Sequence, residues 1–391
     1  MKTIELNDDI KMILNILQEY GQGYIVGGYV RDALLGLQPK DCDFLTNIAY
    51  DKLIDIFSKY KPIQIGKHFG VLQITVNNVQ YEIAKMRQDI GIPEDRKEQS
   101  VEFTDNIYED LQRRDFTINA IAYDGVELFT LNQLSFNDVY NKIIRFIGEP
   151  TVRITEDPLR IMRAFRLSSQ KGMSIERQTL DAISKCSDML FLLAKERIRD
   201  EIEKILESDN KCGLKYMYLT GCFDKIFTNV APVAFEKVLN TMYSINDFKS
   251  RICLLNSYLV KDLELFRELK FSNKALDMLF KVNQSFEILR HGSNNKIALK
   301  QAIKNCGYDF APQLLDVYHM FSGSEIFIVK ELLEEIKSEP VFIKDLDITG
   351  NDLLNKCKPT DIGATLEYLL QKVHQCPELN KKELLLGLVQ G

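Results

Sequence analysis

The residues of this chain best suited to chemistry are two aspartates one position apart, Asp41 and Asp43, set in the apolar run DCDFLT (41–46). Side chains alternate along a strand, so both carboxylates fall on one sheet face. Like charges at that spacing repel unless a cation neutralises them, and Mg²⁺ is commonly held by one or two carboxylates together with substrate phosphates. The plainer alternative is a pair of solvated acids at a strand edge. Glu82, between Tyr81 and Ile83 in another strand-like run, would add a third carboxylate if the two strands are neighbours. Facing outward, it would pair with Lys85 or Arg87 instead.

Three further strings carry charge or allow close approach. Gly27-Gly28 opens GGYVRDALLG (27–36) straight after a strand-like run. Paired glycines let backbone come close to a ligand and leave N–H groups facing phosphate oxygens, and Arg31 adds a positive charge a turn later. The ending of a Walker loop is absent, and a plain strand-to-helix turn has the same look. RRDFTINA (113–120) brings Arg113 and Arg114, whose forks suit phosphate, with Asp115 and Asn119, which suit ribose hydroxyls. Taken alone, paired arginines are also ordinary surface residues. In EDPLRIMRAFR (156–166), Pro158 marks a helix start. Asp157 and Arg160 then lie a turn apart, an acceptor-only carboxylate beside a donor-only guanidinium, able to present a fixed edge to a nucleobase. The alternative is that Asp157 or Thr155 caps the helix above a basic surface. Steps of three drift by about 60° around a helix. Arg160, Arg163 and Arg166 therefore cannot all face one point, and at least one serves phosphate or structure.

Short β-branched runs must position these groups. GYIVGGYV (23–30), DCDFLT, PIQIG (62–66), GVLQITV (70–76) and VQYEIAKM (79–86) are strand-length and bounded by turn signals. Asn77-Asn78 between the last two predicts a hairpin. Short helices are expected at Tyr29–Leu35 and Tyr50–Lys59, giving a small mixed sheet with helices on one side. From Ile154 the pattern turns helical, with Leu159, Met162 and Phe165 at i, i+3 spacing. Amphipathic stretches recur at Leu192–Leu206, Met278–Leu289 and Ser324–Ile336, and DLDITGNDLL (345–354) reads as a loop into a helix. The predicted fold class is α+β, a sheet-containing head followed by an elongated all-α array.

Composition excludes several classes. At about 150 residues per domain, 391 residues make two to three domains. A hydrophobic share of 45% with 27% charged residues is that of an ordinary globular chain, not a disordered one. No apolar run approaches a membrane span, and Glu5, Asp8 and Asp9 stand where a secretory apolar segment would lie. Eight cysteines without a CxxC pair and only four histidines point to reduced thiols in a cytosol, without a zinc site or disulfide framework. A net charge of −6 argues against a coat of nucleic acid over the whole chain. It leaves room for a local basic face: from Lys142 to Lys171, seven Lys or Arg stand against three acids. That stretch would either contact phosphates or form a solvated helix face.

In combination, GGYVRDALLG, KDCDFLT (40–46), EDLQRRDFTINAIAYD (109–124) and EDPLRIMRAFR resemble the class II tRNA nucleotidyltransferase and poly(A) polymerase family, among the polymerase-β-like nucleotidyltransferases. GKHFGVLQI (66–74), YEIAKMRQD (81–89) and ERIRDEIEKIL (196–206) also fit, and DITGNDLL (347–354) and LNKKELLLGL (379–388) look like the tail of bacterial CCA-adding enzymes. Two departures stand out: LFTLNQLSFND (128–138) replaces a glycine-rich turn after RRDFTINA, taken as a strand, and Gly70-Val71 replaces Gly-Thr.

The resemblance implies a catalytic head (1–140), a base-recognising neck (141–207), a body (208–320) and a tRNA-binding tail (321–391). It implies that Asp41 and Asp43 bind two Mg²⁺; Glu82 stays a candidate third carboxylate on the reading of its own run. Gly28, Arg31 and Arg114 would hold the triphosphate and sugar, and Asp115 and Asn119 would touch ribose or strand. Asp157 and Arg160 would select the base, supported by Arg163 and Arg166. The implied reaction adds C, C and A to the 3′ end of tRNA from CTP and ATP in the cytoplasm, with the acceptor stem as partner and no membrane. Monomer and homodimer both stay open. The alternatives are a bacterial poly(A) polymerase, a partial CC- or A-adding enzyme, and an inactive RNA-binding module. RQDIGIPEDRKEQSV (87–101) reads as the intact loop that a CC-only enzyme lacks, and His68 reads as structural.

Overall fold

The computed structural model describes residues 4–66, 70–89, 101–227, 232–291, 296–322 and 326–389. His68 and most of the 87–101 loop lie outside the described residues. Two compact units make up the chain: residues 1–197 with 212–226, and residues 198–211 with 227–391.

The first unit opens with α1 (Asp8–Tyr20). The Asn7 side chain caps it by accepting from the Ile10 N–H at 2.8 Å, and Asp8 and Asp9 meet the positive end of its dipole. Ile10, Ile13, Leu14 and Leu17 form its buried stripe. β1 (Gly23–Val26) passes into α2 (Gly28–Leu34) through Gly27, whose φ of +69° suits only glycine. β2 (Asp43–Thr46), α3 (Tyr50–Ile56), β3 (Ile63–Gly66), β4 (Val71–Val76) and β5 (Val79–Lys85) follow. Asn77 and Asn78 adopt φ of +47° and +65° in the turn between β4 and β5, with Val76 opposite Val79, so the expected hairpin forms. A ribbon of β6 (Arg87–Asp89) and β7 (Val101–Phe103) leads to α4 (Ile107–Gln112), β8 (Ile121–Tyr123), β9 (Leu128–Thr130) and α5 (Gln133–Tyr140).

Among the described residues the main sheet has seven strands in the order β3-β4-β5-β2-β1-β8-β9. The β2–β5 pair is parallel and the other pairs are antiparallel, so the sheet is mixed as expected. Val26, Leu45, Met86, Ala120 and Ala122 pack with Ile107 and Leu111 of α4 to form the core beneath the site.

Two sequence expectations change here. Asp41 precedes the strand instead of lying in it, because β2 begins at Asp43, although exposure still alternates over Asp41, buried Cys42 and Asp43. RRDFTINA is not a strand. Its arginines follow the end of α4, Phe116 makes a single antiparallel bridge to Phe146, Thr117–Asn119 form a 3₁₀ turn, and the main sheet resumes at Ile121. Polar partners explain the turn: Thr117 Oγ1 donates to Asp138 at 2.7 Å and Asn119 Nδ2 to Asp115 at 2.9 Å.

α6 (Pro150–Glu156) and α7 (Leu159–Lys171) meet at Asp157, followed by α8 (Arg177–Lys185) and α9 (Lys195–Glu207), whose first residues belong to this unit. α7 ends on Gly172 at φ +62°. It packs against α10 (Cys212–Leu219), where Gly213 is obligatory: a Cβ there would sit 2.3 Å from the Phe165 carbonyl oxygen.

The second unit is helical: Met278–Leu289 falls within the helix Asn273–His291, and the described part of Ser324–Ile336 falls within the helix Ile326–Lys337. Residues 347–354 form a 3₁₀ turn at Gly350–Leu353, with Asp352 accepting from the N–H and hydroxyl of Thr349. Leu353, Leu366, Leu369, Leu370, Val373 and Leu385 form the tail core. Lys300 is buried against Glu339 at 2.5 Å, and the ring of buried His374 lies 3.2 Å from the Val341 carbonyl. All eight cysteines are free thiols, and among the described residues no helix is long and apolar enough to cross a membrane.

Candidate active site

A cleft of about 550 Å³ lies within the first unit. The Gly27-Gly28 turn and Arg31 of α2 form one wall, Asp43 and the residues after α4 another, and the α6–α7 junction with Arg197 the third. Gly28, Arg31, Asp43, Arg114, Asp157, Arg160, Arg163 and Arg166 therefore converge on one space, as do Asp115 and Asn119. Asp41 and Glu82 are not among its lining residues. Eight arginines face three aspartates among its lining residues, a positive lining that suits a polyanion.

Asp43 is the exception to that sign. It stands at the start of β2 with Glu82 opposite it in the parallel β5. Crowding by protein raises its carboxyl above the usual range, Glu82 and Asp41 raise it further, and Arg114 opposes them. Surplus negative charge on oxygen donors fits a hard divalent cation. Among the described residues no three His, Cys, Asp or Glu side chains converge to hold a metal unaided. One or two carboxylates at a cation site are the kind of set that substrate phosphates complete. Burial and the neighbouring Asp43 push the Cys42 thiol far up, so it stays protonated.

The arginines are built in, not appended. Asp110, fully buried at the end of α4, accepts from Arg113 Nη2 at 2.7 Å through Oδ1 and from Arg114 Nη2 at 3.1 Å through Oδ2. Burial would raise this carboxyl, but Arg114 and Arg113 together hold it below the usual range. Arg153 of α6 grips the backbone of the same pair, donating to the carbonyls of Arg113 and Arg114 at 2.5 and 2.6 Å. A Cβ on Gly27 would come within 3.2 Å of Arg114 Nη1, so the glycine makes room for that guanidinium. Asp115 and Asn119 are engaged internally. Arg163 donates to Asp115 Oδ2 at 2.8 Å, and Asn119 receives Arg31 Nη1 at 2.6 Å.

At the α6–α7 junction, Asp157 does serve α7, since its Oδ1 accepts from the Leu159 N–H at 3.2 Å. Its Oδ2 lies 3.8 Å from Arg197. Arg160 is held through Nη1 by the Arg153 carbonyl at 2.8 Å and by Glu156 at 2.6 Å. Thr155 bonds back to Thr151 and caps nothing. The stretch from Lys142 to Lys171 is not a solvated face: Arg145, Arg153, Arg160, Arg163 and Lys171 each have a carboxylate partner.

Sequence reasoning gave no role to Asp110, Arg153, Glu156 or Arg197. Asp110 carried a usable signal, since it precedes Arg113 and Arg114 by three and four residues, the spacing of helical ion pairs. Arg197 carried none, because it lies forty residues from Asp157.

Residues 23–145 match the family described as "Poly A polymerase head domain", and residues 172–233 the one described as "Probable RNA and SrmB- binding site of polymerase A". The chain is 31% identical to a CCA-adding enzyme of Staphylococcus epidermidis, over 94% of this chain and 93% of that one. The chain belongs to the CCA-adding enzyme family. A CCA-adding enzyme of Ligilactobacillus salivarius is 30% identical over 97% of this chain and 96% of its own. The fold is that of the Bacillus stearothermophilus CCA-adding enzyme solved in complex with CTP, with a TM-score of 0.78 at 24% identity over 98% of this chain and 97% of that one. The Thermotoga maritima CCA-adding enzyme complexed with tRNA_CCA matches with a TM-score of 0.70 at 20% identity, over 98% and 95% of the two chains.

Proposed function

We propose that this protein adds C, C and A in turn to the 3′ end of tRNA, taking CTP and ATP and releasing pyrophosphate at each step in the cytoplasm. The observation that carries the reading is one cleft uniting Asp43 at a strand end, a Gly-Gly turn with two arginines, and the Asp157–Arg160 pair. In each addition the 3′-hydroxyl oxygen attacks the α-phosphorus, the bond from that phosphorus to the β-bridging oxygen breaks, and pyrophosphate departs.

Asp43, with Asp41 two residues before it, would hold the divalent cation, for which Mg²⁺ is our choice. Such a cation lowers the pKa of the attacking hydroxyl and neutralises the leaving group. Arg31 and Arg114 bind the triphosphate beside the Gly27-Gly28 turn, where backbone can approach it closely. Positioning and charge neutralisation carry phosphoryl transfer, so the chain needs no separate histidine base. Asp157 turns an acceptor and Arg160 a donor toward the base. Cytosine and adenine each offer an amino donor beside a ring-nitrogen acceptor; uracil and guanine present the reverse. The tRNA is recognised through the shape and phosphates of its acceptor stem.

The test is a tRNA transcript lacking CCA, given CTP and ATP separately and together. Addition of two C residues with CTP alone, completed by one A when ATP is present, is the expected result. A long A tract, only CC, or only A would instead mark the alternatives, and no product at all would overturn the reading.

A further inference from the structure

Lys171 and Asp32 do not line the cleft, yet both act on Arg31. Asp32 is buried; its Oδ1 accepts from Arg31 Nε at 2.9 Å and Nη2 at 2.8 Å, and its Oδ2 accepts from Lys171 Nζ at 2.7 Å. From Arg31 the contacts continue through Nη1 to Asn119 Oδ1 at 2.6 Å, from Asn119 Nδ2 to Asp115 Oδ1 at 2.9 Å, and end on Arg163. Arg163 and Lys171 both belong to α7, about 12 Å apart along its axis. The chain of contacts therefore leaves α7 at one end and returns to it at the other, with Arg31 in the middle.

A guanidinium has five N–H groups. Asp32 takes two of those on Arg31 and Asn119 takes one, which leaves two for a ligand in the cleft. Their direction depends on Asp32 keeping its second oxygen occupied. Without Lys171, that buried oxygen has no cation of its own, and a carboxylate in that state draws in further guanidinium donors. Arg31 would then turn its remaining N–H groups inward.

We propose that Lys171 is a positioning residue for triphosphate binding: from the far end of α7 it holds Asp32, and through Asp32 it aims Arg31 into the cleft. The proposal rests on the reading of Arg31 as a triphosphate ligand. It also ties the grip on the phosphates to the helix that carries Arg160.

The test measures equilibrium binding of CTP and CMP without tRNA, so that no transfer occurs. Lys171→Met should weaken CTP about tenfold and leave CMP unchanged, and Lys171→Arg should bind CTP like the wild type. In an Arg31→Ala background, Lys171→Met should add no further loss. Unchanged CTP binding, equal weakening of CTP and CMP, or a full loss persisting beside Arg31→Ala would overturn the proposal, as would a wild type that binds no CTP. Thermal unfolding confirms that the variants are folded; Lys171→Gln, which keeps one donor without the charge, replaces Lys171→Met if it is not. A wild type that binds CTP but extends no tRNA defeats the proposed function while leaving this binding result standing.

Discussion

Asp110 and Arg114 are joined across one turn at the end of α4, with Asp110 Oδ2 accepting from both Nε and Nη2 of Arg114 at 3.2 and 3.1 Å. Because Oδ1 serves Arg113 in the same way, one buried carboxylate sets the direction of two cleft arginines. Asp110→Ala leaves both guanidinium groups without their partner and should destabilise the first unit by about 3–5 kcal/mol. Denaturant unfolding of the variant checks this, and a midpoint within error of wild type would refute it.

Acid should act on the same group. Burial raises the carboxyls of Asp110 and Asp115, but their arginine partners outweigh it and hold both below the ordinary value. A depressed folded-state pKa contributes stability that is present above the unfolded value of about 3.9 and is lost as pH falls through the folded one. Unfolding free energy should therefore decline below about pH 4, and Asp110→Asn should flatten that decline.

Asp43→Asn removes a carboxylate whose ionised form is disfavoured by burial first and by Glu82 next. Nucleotide addition should vanish while the melting temperature stays level or rises slightly. Near-normal turnover of the variant with Mg²⁺ would remove Asp43 from the cation site.

Asp157→Asn separates the two services of that side chain. Its amide oxygen can still accept from the Leu159 N–H, and Asn caps about as well as Asp. Stability should barely change. The edge offered to the base does change, and a mismatched polar edge costs about 1–3 kcal/mol. Misincorporation of UTP or GTP by Asp157→Asn and Arg160→Ala is the measurement, and unchanged selectivity in both would leave Asp157 only its capping role.

In the second unit, burial lowers the His374 pKa, Lys300 and Lys304 lower it further, and the contact with the Val341 carbonyl partly opposes them. The folded chain thus resists protonating a ring that the unfolded chain protonates near the ordinary value of 6.5. Stability should fall as pH drops below that value, and His374→Gln should lose this part of the slope.

Local signals are legible in the sequence where the backbone itself needs a residue type. Gly27 at positive φ, the Asn77-Asn78 turn and the alternation across Val71–Val76 are of this kind. The cleft-lining candidates converge because Gly28 and Asp43 stand at the junctions flanking β1 and β2, Arg114 follows α4, and Asp157 to Arg166 run from the α6–α7 junction along α7. Partner choice was not legible. Nothing near Asp32 announces Lys171, 139 residues away, and nothing in RRDFTINA says that Asp115 will be claimed by Arg163. The short strands β8 and β9 escaped for a similar reason. Three residues carry too little periodicity, and their pairing with β1 and with each other is what makes them strands.

The interior position of β1, between β2 and β8, also bears on the order in which the chain can fold. One neighbour, β2, follows it closely, with Val26 opposite Asp43, but the other arrives only at Ala122 and Tyr123. Ile25 and Tyr123 are 98 positions apart (123 − 25), so closing that pairing is a late, entropically demanding event. On the ribosome, α2 and the Gly-Gly turn emerge long before the strand that flanks them and before Asn119. Lys171, the partner of Asp32 at the end of α7, emerges later still. A nascent chain halted before that helix would hold the carboxylate-bearing strand β2 but lack both Arg163 and Lys171, the two residues on which the contacts running through Arg31 end.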